Sequence, residues 1–206
     1  MTSTSGEARA DLAEHFRRQI EASVQAKSAL LEDLGECVAV ASELIDAYRS
    51  GHALLLFGNG GSAADAQHIA AEFLGHFYLE RPGVAAHALT VNTSALTAIS
   101  NDYSFDAVFA RQLVAIGRAG DVAVGISTSG NAANVIEGLR AARRARMVTV
   151  AMTGADGGRA KEEADHWVRV PSNDVARIQE SHIMIGHIWS ELVEAALFGP
   201  EKRRSG

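Results

Sequence analysis

The sequence predicts an α/β fold: a five-stranded parallel sheet with helices on both faces, preceded by an N-terminal helical arm. From residue 53 onward, short continuous apolar runs alternate with longer helical segments, which is the pattern of a parallel sheet with crossover helices. Glycine-rich or polar turns follow the apolar runs. The first 50 residues instead show helical periodicity throughout. We therefore divide the chain into an arm at 1–50, an α/β domain at 51–199 and a frayed tail at 200–206.

The arm is predicted to contain two helices between Glu7 and Ser50, with Ser28 as the cap between them. No catalytic group of residues occurs in it. A helix with an apolar stripe packs either on the core or on another subunit, and both alternatives remain open. The stripe residues recur every four positions, at Leu12, Phe16, Ile20 and Val24.

The domain's five strands are predicted at Ala53–Phe57, Ala85–Val91, Val122–Ile126, Met147–Met152 and His166–Val170. Its helices are predicted at Ser62–Phe77, Thr93–Ile99, Phe105–Ile116, Ala132–Ala145, Arg159–Ala164 and Arg177–Leu197. Right-handed crossovers bring the carboxyl ends of all strands to one edge of the sheet, and ligands bind outside that edge. Chemistry is therefore expected in the loops at 58–62, 92–102, 127–131 and 153–158.

Length, composition and net charge argue against some classes of function. A chain of 206 residues with 47% hydrophobic content buries one substantial core. Its net charge of −6 argues against a surface that neutralises nucleic-acid phosphates. It opens without a signal-peptide pattern, and no apolar run reaches the ~18 residues that span a bilayer. We therefore predict a cytoplasmic protein without nucleic-acid or membrane partners, whose single cysteine, Cys37, is an inert core thiol.

The segment from Gly58 to Ala63 follows a strand and opens a helix, so its N–H groups are suited to an anionic or polar ligand. The same spacing fits a dinucleotide-binding loop. That reading requires an acidic residue after the next strand, and Thr90-Val91-Asn92 offers none. Glycines that serve only a tight turn are a further alternative, but they would not require the polar Asn59 and Ser62 beside them.

The hydroxyl loop, Ser127-Thr128-Ser129-Gly130-Asn131, joins the third strand to a helix. Three consecutive hydroxyls at a helix N-terminus can surround a phosphate with neutral donors. The alternative, a helix cap, would use only one of them. The sequence therefore favours a phosphate site here.

His68 and Glu72 are four residues apart on a largely apolar helix, so they share one face. This spacing suits a shared metal or a coupled proton relay, although such pairs also decorate solvated helices. On the last helix, Gln179 and His187 are eight apart, about 80° round the helix and ~12 Å along it. Ligation of one ion by both is possible but not required. His182 lies off that stripe and is predicted to be a surface or hydrogen-bonded core histidine.

Taken together, these motifs resemble the phosphoheptose isomerases of the sugar isomerase (SIS) fold, a flavodoxin-like three-layer sandwich. The motifs are Phe57–Ser62, the His68/Glu72 pair, Ser100-Asn101-Asp102, Ser127–Asn131 and Arg177–His182, in that order along the chain. The resemblance implies an aldose–ketose isomerase that converts sedoheptulose 7-phosphate to D-glycero-D-manno-heptose 7-phosphate through an enediol. It also implies a homotetramer with interfacial active sites and one Zn²⁺ per subunit.

The resemblance assigns roles by motif. Glu72 and His187 become the acid/base pair, and which of them takes the carbon proton stays open. The implied metal ligands are His68, Glu72, Gln179 and His187. The implied substrate contacts are Asn59, Gly60, Gly61, Ser62, Glu72, Asn101, Asp102, Ser127, Thr128, Ser129, Asn131 and Gln179. Two positions depart from the family pattern: Ala132 stands where the family usually has serine, and His76 where it commonly has arginine. These departures predict a difference in affinity or substrate preference.

Two other functions remain alternatives. A non-catalytic SIS protein that binds a replication initiator would have the same loops, but such relatives tend to lose the acid and the final histidine. This chain has both, at Glu72 and His187. An isomerase or sensor of another sugar phosphate would share the motifs and differ in pocket length.

Overall fold

A computed structural model describes residues 3–199, with residues 3–7 described by their backbone alone. The predicted tail at 200–206 lies outside the described residues. The helices are α1 (Ser3–Leu30), α2 (Gly35–Arg49), α3 (Gly61–Leu74), α4 (Thr93–Asp102), α5 (Val108–Ile116), α6 (Ala133–Arg144) and α7 (Val175–Phe198). The strands are β1 (Leu54–Gly58), β2 (Ala86–Ala88), β3 (Val122–Ile126), β4 (Val148–Thr153) and β5 (His166–Arg169).

The strands form one sheet in the order β2-β1-β3-β4-β5, and every neighbouring pair is parallel. The predicted fold class is confirmed. The chain reverses direction across the sheet between β1 and β3, where Gly58 pairs with Ile126. In doubly wound sheets a crevice for ligands opens at this switch point. The loops that follow β1 and β3 lie beside it.

Helices cover both faces of the sheet, which explains why the strands are continuous apolar runs. On β1, Leu54 and Leu56 belong to the core beneath α2, α3 and α7. Leu55 and Phe57 belong to the opposite core, beneath α5 and α6. All four side chains are 0–1% exposed. Burying each one contributes roughly 1.5–3 kcal/mol to folding.

Several predicted elements require correction. Ser28 is not a cap, because α1 continues past it to Leu30. The side chains of Ala26 and Leu30 are buried and hold the last turns of the helix against the core. The second helix instead begins at Gly35, whose N–H donates to Asp33 Oδ1 at 3.4 Å, while the residue before it, Leu34, offers no capping side chain. The second strand is only Ala86–Ala88, because it is an edge strand that pairs with β1 alone.

Other boundaries shift because turns tighten or helices extend. The predicted helix Thr93–Ile99 continues to Asp102. The first turn of the predicted helix at Phe105 is a 3₁₀ turn, Phe105–Ala107. Between β4 and β5, only a short 3₁₀ turn, Ala160–Glu163, replaces the predicted helix Arg159–Ala164.

The apolar stripe of α1 faces solvent in the single chain. Its side chains are exposed by 62% at Leu12, 69% at Phe16, 61% at Ile20 and 57% at Val24. Of the two predicted alternatives, packing on the chain's own core therefore does not hold for this stripe. By contrast, α2 contributes Val40, Ala41 and Leu44 to the core. None of the helices within residues 3–199 combines the length and the apolar character needed to cross a bilayer.

Candidate active site

His68, Glu72 and His187 meet where α3 packs against α7, and we call them the acid–imidazole cluster. His68 Nε2 lies 3.1 Å from Glu72 Oε1 and 3.2 Å from His187 Nε2. One ligand atom from each of the three lies within 4.8 Å of the others. The tertiary structure thus brings His187 to the His68/Glu72 pair, a meeting that spacing along the sequence could not predict.

Local packing explains why the two helices approach so closely here. Ile69, Ala70 and Phe73 bury one side of α3 against the core, which leaves His68 and Glu72 on the side toward α7. On α7, the residue before His187 is Gly186, and a Cβ at that position would collide with the Ile69 side chain. A glycine is therefore needed for the helices to meet at this point. The result is a partly solvated cluster, in which His68 is 52% exposed and Glu72 is 23% exposed.

Asp65 is a residue of this site that the sequence reasoning missed. It lies one turn before His68 on α3, and burial raises the pKa of its carboxyl to about 6, partly offset by His68. Its Oδ2 atom is buried and finds no hydrogen-bond partner within residues 3–199. The spacing of three residues from His68 was the available signal. Because burial disfavours the charged form of this carboxyl, positive charge beside it is stabilising, and His68 is close enough to supply it.

The donor set fits a divalent cation. Two imidazole nitrogens and one carboxylate oxygen are the ligands that zinc takes in catalytic sites, and they also suit other transition metals. Asp65 Oδ2, which is buried without a hydrogen-bond partner in residues 3–199 and lies one turn before His68, also supports binding of a cation. Gln179 is not one of these three residues. Its side-chain amide packs against Gly61 at the start of α3, so closely that a Cβ at position 61 would overlap the amide. Its assignment as a fourth ligand stays a prediction.

The first loop is braced by an asparagine pair. Asn59 and Asn134 exchange two side-chain hydrogen bonds, each 2.8 Å long. Asn134, on the first turn of α6, was also missed by the sequence reasoning. Gly60 has a φ of 58° and precedes α3, and Ser62 is 3% exposed beneath the turn. The pair ties the β1 loop to the first turn of α6, the helix that follows the hydroxyl loop.

The hydroxyl loop opens onto a cleft of about 270 Å³, lined by Thr128, Ser129, Asn131, Ala155, Asp156, Asn173, Val175 and Ile178. Ser129 Oγ accepts the N–H of Asn131, whose own Oδ1 accepts the N–H of Arg159. The N-cap residue of α6 is Ala132, whose side chain has no group that can accept a hydrogen bond from the helix N-terminus. The helix-cap alternative is therefore absent, and the end of α6 is available to an anion.

Asn101 and Asp102 lie at the end of α4 with exposed side chains, and the Asn101 amide donates to Asp102 Oδ1 at 2.8 Å. Among residues 3–199 they form no hydrogen bond with α3, α7 or the hydroxyl loop. Their contribution to the site of the acid–imidazole cluster therefore stays a prediction.

His182 is a hydrogen-bonded core histidine, which was one of the two alternatives predicted from the sequence. It is fully buried, and its Nε2 lies 3.3 Å from the Thr153 carbonyl oxygen. Burial lowers the pKa of its imidazole to about 4, so the ring is neutral at pH 7.

Comparison with known proteins agrees with this geometry. The SIS domain family model matches residues 13–154. The phosphoheptose isomerase of Roseiflexus sp. (strain RS-1) is 53% identical over 181 residues, covering 87% of this chain and 92% of that protein. This chain belongs to the phosphoheptose isomerase family. The family's member from Aneurinibacillus thermoaerophilus is 48% identical over 188 residues, covering 90% of this chain and 95% of that protein.

A solved phosphoheptose isomerase structure has the same architecture. The enzyme of Neisseria gonorrhoeae superposes with a TM-score of 0.84 at 45% identity, covering 89% of this chain and 99% of that one. The resemblance drawn from the motifs is thereby confirmed, as is the SIS fold.

Proposed function

We propose that this phosphoheptose isomerase family member interconverts sedoheptulose 7-phosphate and D-glycero-D-manno-heptose 7-phosphate. Relatives that match it over nearly their whole length are named phosphoheptose isomerases, which supports an isomerase over a non-catalytic binding protein. The observation that carries the proposal is the acid–imidazole cluster itself. An acid and a base within 4.8 Å of each other can serve two neighbouring atoms of one substrate.

The reaction moves one proton between two carbons. A base removes a proton from C1 of the ketose while the carbonyl oxygen at C2 gains one, which gives an enediol. Return of a proton to C2 and loss of the proton on the C1 oxygen then give the aldose. Glu72 is our candidate for the carbon proton and His187 for the protons on oxygen. Each such transfer contributes ~10² to 10⁴ in rate.

We further propose one Zn²⁺ per subunit, held by His68, Glu72 and His187 with Gln179 as a fourth ligand. When bound, the metal would act as a Lewis acid that polarises the carbonyl. A carboxylate that ligates a cation is a weaker base than a free one. His187 is therefore the alternative candidate for the carbon proton, and the variants below distinguish the two assignments.

The phosphate would be anchored by the hydroxyls of Ser127, Thr128 and Ser129 and by the N-terminus of α6. Holding one end of the open-chain sugar positions the other end, which accounts for part of the rate. Asp156 lines the same cleft. Its carboxylate would repel a phosphate, so we place the anion on the hydroxyl side and a sugar hydroxyl near Asp156.

We also propose a cytoplasmic homotetramer with interfacial active sites. Three features support it: the exposed α1 stripe, the absence within residues 3–199 of hydrogen bonds from Asn101 or Asp102 to α3 or α7, and an apolar groove of about 450 Å³ between α1, α2 and α7. A neighbouring α1 stripe would fill such a groove. A neighbouring α4 would bring the missing polar residues to the site.

The direct test supplies sedoheptulose 7-phosphate to the purified protein and follows aldose formation, with Glu72→Gln and His187→Gln assayed in parallel. We expect turnover in the wild type and a loss of ~10² or more in each variant. Proton exchange at C1 in deuterated water identifies the carbon base, because the variant that lacks it stops exchanging. Wild-type turnover in both variants would contradict the assignment.

The rivals give different outcomes in the same assays. Five- and six-carbon phosphates test another sugar-phosphate substrate, because pocket length sets that choice. Retention of a replication initiator in a pull-down, together with no isomerase activity, would instead favour the non-catalytic binding protein.

A further inference from the structure

Arg81 and Glu194 form a buried ion pair behind the acid–imidazole cluster. Arg81 Nε lies 2.8 Å from Glu194 Oε2, and each side chain is only 2% exposed. A buried charge pair is tolerated where its remaining donors and acceptors are also satisfied. Here the backbone of one short segment, residues 72–82, satisfies them.

The Glu194 carboxylate accepts three consecutive N–H groups. These come from Phe77 at 2.8 Å, Tyr78 at 2.7 Å and Leu79 at 2.5 Å. Burial alone would raise the pKa of this carboxyl, but the three N–H donors and Arg81 outweigh it and hold the pKa at about 2. Glu194 is therefore ionised at neutral pH and fixes the path of the chain after α3.

Arg81 extends the same network to the end of α3. Its Nη2 donates to the carbonyl of Glu72 at 2.9 Å, and its Nη1 donates to those of Phe73 and Gly75 at 3.0 Å each. Carbonyls in the last turn of a helix have no partner within the helix, and a cation there also interacts favourably with the helix dipole. Arg81 thus caps the helix that carries His68 and Glu72.

Glu194 lies on α7 two turns after His187, about 10 Å along the same face of the helix. The segment that it holds returns to the active site, because the Phe77 ring packs against the His187 ring with centroids 5.6 Å apart. We call Arg81, Glu194 and the backbone that they bind the α3–α7 clamp. It joins the helix of Glu72 to the helix of His187 without touching the ligand cleft.

We propose that Arg81 and Glu194 are positioning residues for the isomerase, which hold the Glu72 carboxylate at its working distance from His187. The inference rests on the proposed function for its catalytic readout. Small displacements of reacting groups lower rates strongly, by up to ~100-fold for about 1 Å. A merely structural pair would affect stability and leave the chemistry of the folded enzyme unchanged.

Arg81→Lys is the sharpest variant, because it keeps the charge and removes the planar fork that reaches several acceptors at once. We expect kcat to fall ~10- to 100-fold. The KM for sedoheptulose 7-phosphate should stay within about twofold, since the phosphate loop lies outside the clamp. If Arg81→Lys does not fold, Glu194→Asp carries the test with the same expectation, because it retains the charge and shortens the side chain by one methylene.

Zinc affinity gives a readout that is independent of the reaction. Competition with a chromophoric chelator should show ~10-fold weaker zinc binding in Arg81→Lys, as for other residues that orient metal ligands. If the wild type has no isomerase activity but the variant still binds zinc more weakly, the proposed function is refuted. The positioning role of the α3–α7 clamp would still be supported.

Asp121→Asn is the matched control. Asp121 is another buried carboxylate, 3% exposed, that accepts the N–H groups of Ala53 at 2.9 Å and Arg118 at 2.7 Å. It precedes β3, at the sheet edge opposite the ligand loops. We expect this control to lose stability while it keeps kcat and zinc affinity. Wild-type kcat and zinc affinity in a folded clamp variant, or equal losses in the control, would overturn the proposal.

Discussion

The Nε2 atoms of His68 and His187 lie 3.2 Å apart, although 119 positions separate the two residues in the sequence. At this distance the two nitrogens either share a proton or face a common cation. With Glu72 Oε1 beside them, the second arrangement satisfies both rings and the carboxylate together.

Zinc should stabilise the wild-type protein. Binding to the folded state alone adds ~2.7 kcal/mol when free zinc is 100 times its dissociation constant, so Tm should rise and a chelator should reverse the rise. His68→Gln should abolish most of this increase. His166→Gln is the control, since that ring pairs with Glu36 at 3.0 Å, away from the cluster. Equal increases in all three proteins would contradict a metal site at His68.

Asp65 should make the metal-free protein less stable as pH rises. Its carboxyl has a pKa of about 6 when folded, above the ordinary value of 3.8, so its stabilising protonated form is lost between those pH values. Allowing for its partial exposure, the cost is roughly 1 kcal/mol. Urea unfolding at pH 4 and pH 7 should show a smaller stability difference in Asp65→Asn than in the wild type. An identical difference would contradict this.

The hydroxyl loop should control phosphate affinity. Hydrogen bonds to a charged group contribute about 1.5–3 kcal/mol each, so Thr128→Val should raise the KM for sedoheptulose 7-phosphate roughly tenfold or more, with a smaller change in kcat. Thr97→Val is the matched control, because among residues 3–199 the Thr97 hydroxyl bonds only to carbonyls of α4. Inhibition by inorganic phosphate should weaken in parallel. Unchanged KM and phosphate inhibition would place the anion elsewhere.

The α1 stripe should hold the oligomer together. Introducing charge at two central stripe positions, Phe16→Glu with Ile20→Glu, should convert the assembly to smaller species, measured by light scattering after size exclusion. Gln25→Glu, on the opposite side of α1, should leave the assembly intact. A monomeric wild type would refute the proposed tetramer.

Much of the fold could be predicted because it depends on local patterns. Strands buried on both faces are continuous apolar runs, so all five were located, although the edge strand β2 was predicted too long. The helices after β1 and β3 were predicted for the same reason. The prediction that Ser28 separates two helices was wrong. A residue type that favours helix caps does not end a helix whose following residues are buried, and Leu30 is buried two positions later.

The candidate site could be predicted only in parts. The spacing of His68 and Glu72 predicted that they share a helix face, because helical periodicity extends over four residues. Nothing local indicated the pairing of Asn59 with Asn134, or of Arg81 with Glu194, since each pair joins segments far apart in the chain.

The sequence by itself determined the parallel sheet, the edge where the ligand loops gather and the residue types that those loops offer. Only the tertiary structure decided that His187 meets His68 and Glu72, that Asp65 Oδ2 is buried without a hydrogen-bond partner in residues 3–199, and that the clamp joins α3 to α7. The physical reason is range. Backbone periodicity and turn chemistry act over a few residues, whereas the meeting of two helices depends on how closely their side chains pack, which Gly186 and Ile69 permit here.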